Sequence, residues 1–573
     1  AHTFADVEII HFLDLGLTDY TQEIYTGYFR HNALFIGANS RAAIKEGRAD
    51  YTPIFLSEVP LMMQRGTMPI DVALITVSPP DANGYVSLGI SVDITKTAAE
   101  AARYVVAEVN PNMPRTLGDS FLHVSEISAF VEHDTPLLEF VQKSPDTIAR
   151  DIGRLISDLI DNESTLQTGV GKIPGSVFPY LTEKKDLGIH TETFTEGIID
   201  LIESGVITCR KKTLHRGKIV ASFCMGTKRL YDYVHDNPLF EFRPCRYVND
   251  PYVIAMNDRM VSINSALTVD LTGQVCSDSL GFEFYSGIGG QVDFVRGSAL
   301  SSRGKSIMVL PSTTEDGTIS RIVPYLSPGS GVVVTRGDIH YVVTEYGVAY
   351  IHGKSIRDRA MMLIGIAHPD FRDELLRAAK EQGYIYRDQA LPAVLYPKEY
   401  EINWIDRKGT TIFFRPVRAT DERAIQELVY GLPPQDIYTR FFQSLKSFSH
   451  KVAMPLAAID YTDRMAIAGV IGRDEPEGRE QIVAIGRYIR DPRSGYAEVA
   501  FTIHHEWQGR GIGTFLLKYL IRIAKEKNIA GFTADVLARN EPMMKVFSRA
   551  GYPLTTKLDE GVYELTIDFT RKE

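Results

Sequence analysis

Over residues 1–400, short apolar runs alternate with segments whose apolar residues recur at helical spacing. Val72-Ala73-Leu74-Ile75-Thr76-Val77 and Tyr104–Val109 read as strands buried on both faces of a parallel sheet, with a helix over Thr97–Arg103 between them. The pattern restarts at Ser144-Pro145-Asp146. Ser144 suits an N-cap and Pro145 a first helical turn, and Ile148, Ile152, Leu155, Ile156 and Leu159 keep helical spacing. Further strands are predicted near Lys218–Phe223, Lys305–Leu310, Gly331–Thr335 and His340–Thr344, and a helix over Asp370–Lys380. The stretch Leu391–Thr411, with Pro392, Pro397 and Gly409, reads as a connection between domains. Beyond it, the β-rich run Val499–Ile503 passes through Gln508–Gly513 into a helical pattern of Phe515, Leu516, Leu517, Leu520, Ile521, Ile523 and Ala524. The expectation is an α/β chain in three parts, residues 1–145, 146–400 and 401–573.

Composition narrows the class. A chain of 573 residues is too long for one core. Its 44% hydrophobic and 23% charged content are ordinary for a globular protein. A net charge of −10 argues against a nucleic-acid partner, and no apolar run reaches the length of a membrane span. Cys209, Cys224, Cys245 and Cys276 form no C-x-x-C pair and read as reduced thiols of a cytoplasmic protein. His190, His340 and His352 lack metal-ligand spacing, so no metal is expected and hydrogen-bonded structural roles are. The chain opens on Ala1 and enters the strand-like Val7–Leu13 directly, so a missing N-terminal segment is expected.

Four stretches carry chemistry. Gln508-Gly509-Arg510-Gly511-Ile512-Gly513 lies between a strand and a helix. Glycines admit close backbone approach, and a helix N-terminus offers unpaired N–H groups to an anion; this is pyrophosphate-binding chemistry. In the N-terminal part, Leu166–Pro174 contains Gly169, Val170, Gly171, Lys172 and Ile173, and Tyr285–Phe294 contains Gly287, Gly289 and Gly290. Between them, Leu187–Glu192 is a short strand ending in a carboxylate. Two such loops and a carboxylate suit a ligand laid against main chain. Gly169-Val170-Gly171-Lys172 lacks both the P-loop and the dinucleotide spacing.

Taken with Ser78–Tyr85, Asn110–Ser120, His190-Thr191-Glu192, Ser286–Phe294 and Val343–Gly347, residues 1–390 resemble the acetyl-CoA hydrolase/transferase family, in particular its 4-hydroxybutyrate and butyrate CoA-transferases. The resemblance implies two tandem α/β CoA-transferase subdomains, with coenzyme A or acetyl-CoA and a short-chain carboxylic acid as substrates. It implies Glu192 as nucleophile: its carboxylate attacks the thioester, an acyl-glutamyl anhydride and CoA thiolate form, and the thiolate returns to give a glutamyl-CoA thioester. Gly169–Ile173 matches the family's CoA-contacting loop. Gly287, Gly289 and Gly290 are candidates to stabilise the oxyanions. Since Glu192 must be ionised to attack, its pKa is expected near the ordinary value of about 4.3. Glu345 and Asp270 read as structural. Homo-oligomerisation and a longer N-terminus also follow from family analogy.

Phe414–Asp421, Gln508–Gly513 and Asn540–Tyr552 resemble the GNAT acetyltransferases, making the last part an α/β GNAT domain. The resemblance assigns Gln508 to Gly513 and Asn540 to acetyl-CoA. Glu498 matches a general base acting on a protein lysine or small amine. The chain departs at Phe547, where many members carry a tyrosine that protonates the leaving thiolate; a phenyl ring cannot donate. Water or Tyr552 then serves, or the domain is slow, or it senses acetyl-CoA. Other readings of the whole chain are a transferase regulated by that sensor, a protein-lysine acetyltransferase on a CoA-binding scaffold, and an acyl-CoA hydrolase.

Overall fold

The computed structural model describes residues 5–13, 15–16, 18–142, 144–169, 171–389, 396–418, 421–442, 448–457, 459, 461–472, 480–491 and 493–570. They divide into two compact units, Ala1–Ile385 and Tyr386–Glu573.

In the first unit, β1 (Val72–Val77), β2 (Tyr104–Val109) and β3 (Ala129–Glu132) form a parallel sheet in that order. The sequence predicts strands buried on both faces, but residues of β1 alternate, with Ala73, Ile75 and Val77 in the core and Leu74 78% exposed. Apolar runs do not distinguish a covered sheet face from an open one.

The helix α1 (Thr147–Ser157) begins two residues later than expected: Asp146, not Ser144, is the N-cap, accepting from the Ala149 N–H at 2.8 Å. Ile152, Leu155 and Ile156 bury its apolar stripe. An eight-stranded sheet follows. Its strands are β4 (Thr165–Thr168), β5 (Gly188–Phe194), β6 (Ile219–Cys224), β7 (Phe240–Phe242), β8 (Met260–Ser265), β9 (Lys305–Val309), β10 (Tyr341–Thr344) and β11 (Gly347–Tyr350). Helix α2 (Gln291–Leu300) precedes β9. The spatial order is β7-β6-β5-β4-β8-β9-β10-β11, parallel except for the final antiparallel pair. From β4 the chain winds outward one way through β5, β6 and β7, then resumes on the other side at β8. The carboxyl ends of β4 and β8 therefore flank a topological switch point, where open α/β sheets bind ligands. The predicted strand at Gly331–Thr335 does not form; Val334 makes only an isolated bridge to Val275. Its backbone is held by the short strand Val275–Cys276, an association local pattern does not encode.

The second unit has its own eight-stranded sheet. Its elements are β12 (Ile402–Ile405), β13 (Thr411–Pro416), α3 (Glu422–Tyr430), α4 (Pro434–Phe441), β14 (Arg464–Ile471), β15 (Gln481–Arg490), β16 (Tyr496–Ile503), α5 (Ile512–Glu526), β17 (Gly531–Leu537), α6 (Glu541–Phe547), β18 (Leu554–Asp559) and β19 (Val562–Asp568). The expected connection at Leu391–Thr411 already contains β12, and residues 390–395 of it lie outside the described residues. The order is β12-β13-β14-β15-β16-β17-β19-β18. Only β16 and β17 are parallel neighbours, and their pairing stops at Glu498–Thr533 although both strands run on to Ile503 and Leu537. Beyond that point the sheet is split. Helix α5 covers one face, where a Cβ on Gly486 would touch Leu520 and Phe501.

Among the described residues, no helix is long and apolar enough to cross a membrane, and no group of three or more His, Cys, Asp or Glu gathers as metal ligands.

Candidate active site

Strand β5 carries His190, Glu192 and Phe194 on one side. His190 is buried and its Nε2 lies 2.9 Å from the Val248 carbonyl; burial, reinforced by Lys212, pushes the ring down to about 3, so it is neutral and structural. That contact sets the next residue of the loop, Asn249, whose Nδ2 donates to Glu192 Oε2 at 2.8 Å. The N–H of Gly290, at the start of α2, also donates to the Glu192 carboxylate. A Cβ on Gly290 would sit 2.0 Å from Glu192 Oε2 and 2.1 Å from Asn249 Nδ2, so only glycine lets the loop close on the carboxylate.

Glu192 is half-buried. Loss of solvent raises its carboxyl from 4.5 to about 7; the negative charge of Asp93 adds to this, and Asn249 and the Gly290 N–H oppose it. The expectation of an ordinary carboxylate is therefore corrected. Two donors do not offset desolvation beside other acids. Asp293, on the first turn of α2, is also raised, chiefly by burial; Ser57 holds it through its hydroxyl at 2.8 Å and its N–H at 3.2 Å. Asp93 is fixed by the Ser91 hydroxyl at 2.7 Å, and its carbonyl accepts from the Cys245 N–H at 3.0 Å.

At the switch point, Gly169 donates to the Ile263 carbonyl at 2.9 Å, extending the β4–β8 ladder into the loop. Beneath it Gln167 and Asn264 exchange two amide hydrogen bonds of 3.1 Å. Val170 lies outside the described residues. Gly171 takes φ +134°, and its carbonyl accepts from Gln142 Nε2 at 3.1 Å. Gln142 Oε1 accepts from the Thr195 hydroxyl at 3.0 Å, so one side chain ties this loop to the end of the strand that bears Glu192. Lys172 pairs with Asp146 at 2.5 Å, and Ile173 leads into the 3-10 turn Pro174–Tyr180. Gly287 packs against Leu34 and Phe35, and the Gly289 carbonyl accepts from the Leu56 N–H at 3.1 Å. Glu345 is bound by the Ser312 N–H and hydroxyl, and Asp270 organises the turn at Thr272–Gln274. The rings of His340 and His352 meet tilted by 40°, 4.0 Å between centroids.

In the second unit, Gly509 and Gly511 take φ +73° and +93°, and Gly511 caps α5, followed by Ile512 and Gly513 in its first turn. Gln508 donates to Asp436 of α4 at 2.9 Å. Arg510 pairs with Asp406 at 3.3 Å and stacks on Trp507. Asn540 caps α6 through the Met543 N–H at 3.2 Å. Glu498 is exposed on β16, where the split in the sheet begins. Phe547 is buried against Phe501, and the Tyr552 hydroxyl meets Lys525 in the last turn of α5, the end of that helix opposite the glycine loop.

Residues 2–142 match the family model of the acetyl-CoA hydrolase/transferase N-terminal domain, and residues 226–379 that of its C-terminal domain. The 4-hydroxybutyrate coenzyme A transferase of Clostridium kluyveri is 52% identical over 379 residues, which cover 66% of this chain and 88% of that protein. The chain belongs to the acetyl-CoA hydrolase/transferase family. Within it, the succinyl-CoA:acetate/propanoyl-CoA:succinate CoA transferase of Fasciola hepatica is 48% identical over 62% of this chain and 74% of its own. RipA from Yersinia pestis shares the fold with a TM-score of 0.61 and 38% identity, over 64% and 90% of the two chains. Residues 436–552 match the GNAT acetyltransferase family, so the chain joins an acetyl-CoA hydrolase/transferase module to a GNAT domain.

Within the family module, sequence reasoning did not single out Asn249, Asp93, Ser57 or Gln142, and gave Asp293 no role. Asn249-Asp250-Pro251 carries a helix-start signal, with Asp250 capping the helix at Pro251, but nothing local says that the preceding asparagine faces a carboxylate on another strand.

Proposed function

We propose that the first unit transfers CoA between an acyl-CoA, such as acetyl-CoA, and a short-chain carboxylic acid through a covalent glutamyl-CoA intermediate on Glu192. The grip of Asn249 and Gly290 on the Glu192 carboxylate, beside the switch-point loop, carries this reading. Asn249 holds Oε2 and leaves Oε1 to attack the thioester carbon. The C–S bond breaks, CoA departs as thiolate, and an acyl-glutamyl anhydride remains. Return of the thiolate to the glutamyl carbonyl expels the first carboxylate, and the acceptor acid reverses both steps. Gly169, Gly171, Lys172 and Ile173 line the CoA path, and backbone N–H groups around Gly287 and Gly289 serve the tetrahedral oxyanions. A half-desolvated nucleophile suits the task, since a carboxylate stripped of water attacks more readily than a solvated one. Incubation with acyl-CoA followed by borohydride or hydroxylamine should place an adduct on Glu192 by peptide mass. No adduct, together with full activity of Glu192→Ala, overturns the proposal. Dependence of CoA release on the acceptor acid separates a transferase from a hydrolase.

We infer that the second unit uses acetyl-CoA bound at Gln508–Gly513 and Asn540 to acetylate an amine, with Glu498 taking the proton. The buried Phe547 favours a competing reading in which this unit only senses acetyl-CoA. Formation of any N-acetyl product by the full chain, lost in Glu498→Gln, decides between them.

A further inference from the structure

Strand register places Glu498, Ala500 and Thr502 of β16 in one row opposite Ile489, Arg487 and Ile485 of β15. This is the face away from α5, on the side of α3 and α4. Arg487 thus lies diagonally between Glu498 and Thr502. From α4, Arg440 reaches over the same spot, its Nε donating to the Thr502 hydroxyl at 3.2 Å. Both guanidiniums are half-buried, and neither forms an ion pair with any described residue. Their surroundings include the apolar Leu428, Phe441 and Leu456. Arginines withdrawn from water are normally paired. The acid whose field reaches both is Glu498, which is exposed and bonded to neither. Desolvation, followed by the charge of Arg487, pushes Arg440 down to about 10. Two cationic groups held side by side, with no ion-pair partner among the described residues, attract an anion.

We propose that Arg440 and Arg487 bind the carboxylate of the acetyl acceptor, which is a small amino acid with an apolar side chain. This rests on the acetyltransferase reading of the second unit. The site is bipolar: a carboxylate end at the two arginines and an amine end at Glu498. A zwitterion fits both ends at once, its side chain lying on Leu428 and Leu456. A protein lysine brings only an ammonium and leaves the arginine end unmatched. The route for the acetyl group is also present. Its donor anchors at the glycine loop, and the gap between β16 and β17 opens just past Glu498 onto the face that holds the arginines. Helix α4 spans both sites, through Asp436 at Gln508 and Arg440 at Thr502. In the reaction Glu498 takes one proton from the ammonium and the amine nitrogen attacks the thioester carbon. An N–C bond forms, the C–S bond breaks, the second N–H proton leaves to solvent, and the CoA thiolate is protonated by water.

The test uses the full chain with acetyl-CoA and four probes: leucine, leucinamide, phenylalanine and phenylalaninamide. N-acetyl products are read by mass, so CoA released by the first unit does not interfere. Free acids should exceed their amides in kcat/KM by about 100-fold, the scale of losing a hydrogen-bonded charge pair. That ratio should fall toward one in Arg440→Gln and in Arg487→Gln, through KM. In parallel, phenylglyoxal labelling of Arg440 and Arg487 should be blocked by leucine and not by leucinamide, a readout that needs neither turnover nor a variant. Amides acetylated as well as acids, without protection by leucine, would overturn the acceptor proposal while leaving the acetyltransferase reading intact. Protection by leucine without any N-acetyl product would keep the carboxylate site and remove the acetyltransferase reading. Absence of both product and protection removes the two together.

Discussion

The carboxyl of Glu192, the proposed nucleophile, is raised to about 7 because burial beside Asp93 outweighs the Asn249 and Gly290 donors. Attack needs the ionised form, so kcat/KM for acyl-CoA should rise with pH to an inflection near 7 and then level off. The coupling to Asp293 means the inflection belongs to the pair. Asn249→Ala removes a donor that favours the anion and should move the inflection upward; Asp93→Asn should move it downward. A pH–rate profile on the three proteins reads this, and an inflection near 4.5 in the wild type would contradict it. Stability follows the opposite sign. A carboxyl raised in the folded state loses its stabilising contribution as pH climbs from 4.5 to about 7, because the unfolded chain ionises first. At the same residue scale, Gly290→Ala places a methyl where Glu192 Oε2 lies. The fold should persist by circular dichroism while CoA exchange drops at least about 100-fold, since a misplacement of about 1 Å already costs that much.

Elements were legible where a local rule decides them and obscure where a neighbour does. The strand–glycine–helix unit around Gly511 obeys a local rule, glycine where a tight turn takes positive φ, and α5 forms as its apolar spacing indicates. The cap of α1 does not. Ser144, Pro145 and Asp146 each suit a helix start, and the choice falls on Asp146, which also pairs with Lys172 of the switch-point loop. Asp146→Ala should therefore cost about 1 kcal/mol as a lost cap in urea unfolding. It should also weaken acyl-CoA binding by a few-fold in KM, which Asp146→Asn, able to cap without the charge, would show alone. For the site, the sequence singles out Glu192 by its short motif, but the contact of that residue with Gly290, almost a hundred residues on, exists only because the loop before α2 folds onto β5. The pKa expectation failed for the same reason: desolvation is a property of what surrounds a side chain.

At the scale of the whole molecule, each unit carries its own sheet and core. Thermal unfolding should then show two separable calorimetric transitions, with Leu516→Ala lowering only the one that belongs to the second unit, since Leu516 is buried in that unit's core. A single cooperative transition shifted as a whole would show that the units unfold together. The early end of the β16–β17 ladder gives this a further turn. Past Glu498 and Thr533 the two strands present backbone donors and acceptors to a gap instead of to each other. A sheet interrupted in its middle is an unfinished sheet, and an extended molecule bearing amides can finish it as an interior strand would. On the acetyltransferase proposal, acetyl-CoA would then also be a piece of the architecture. Saturating acetyl-CoA should make the second unit harder to melt, so that this half of the chain is most rigid when the donor is abundant.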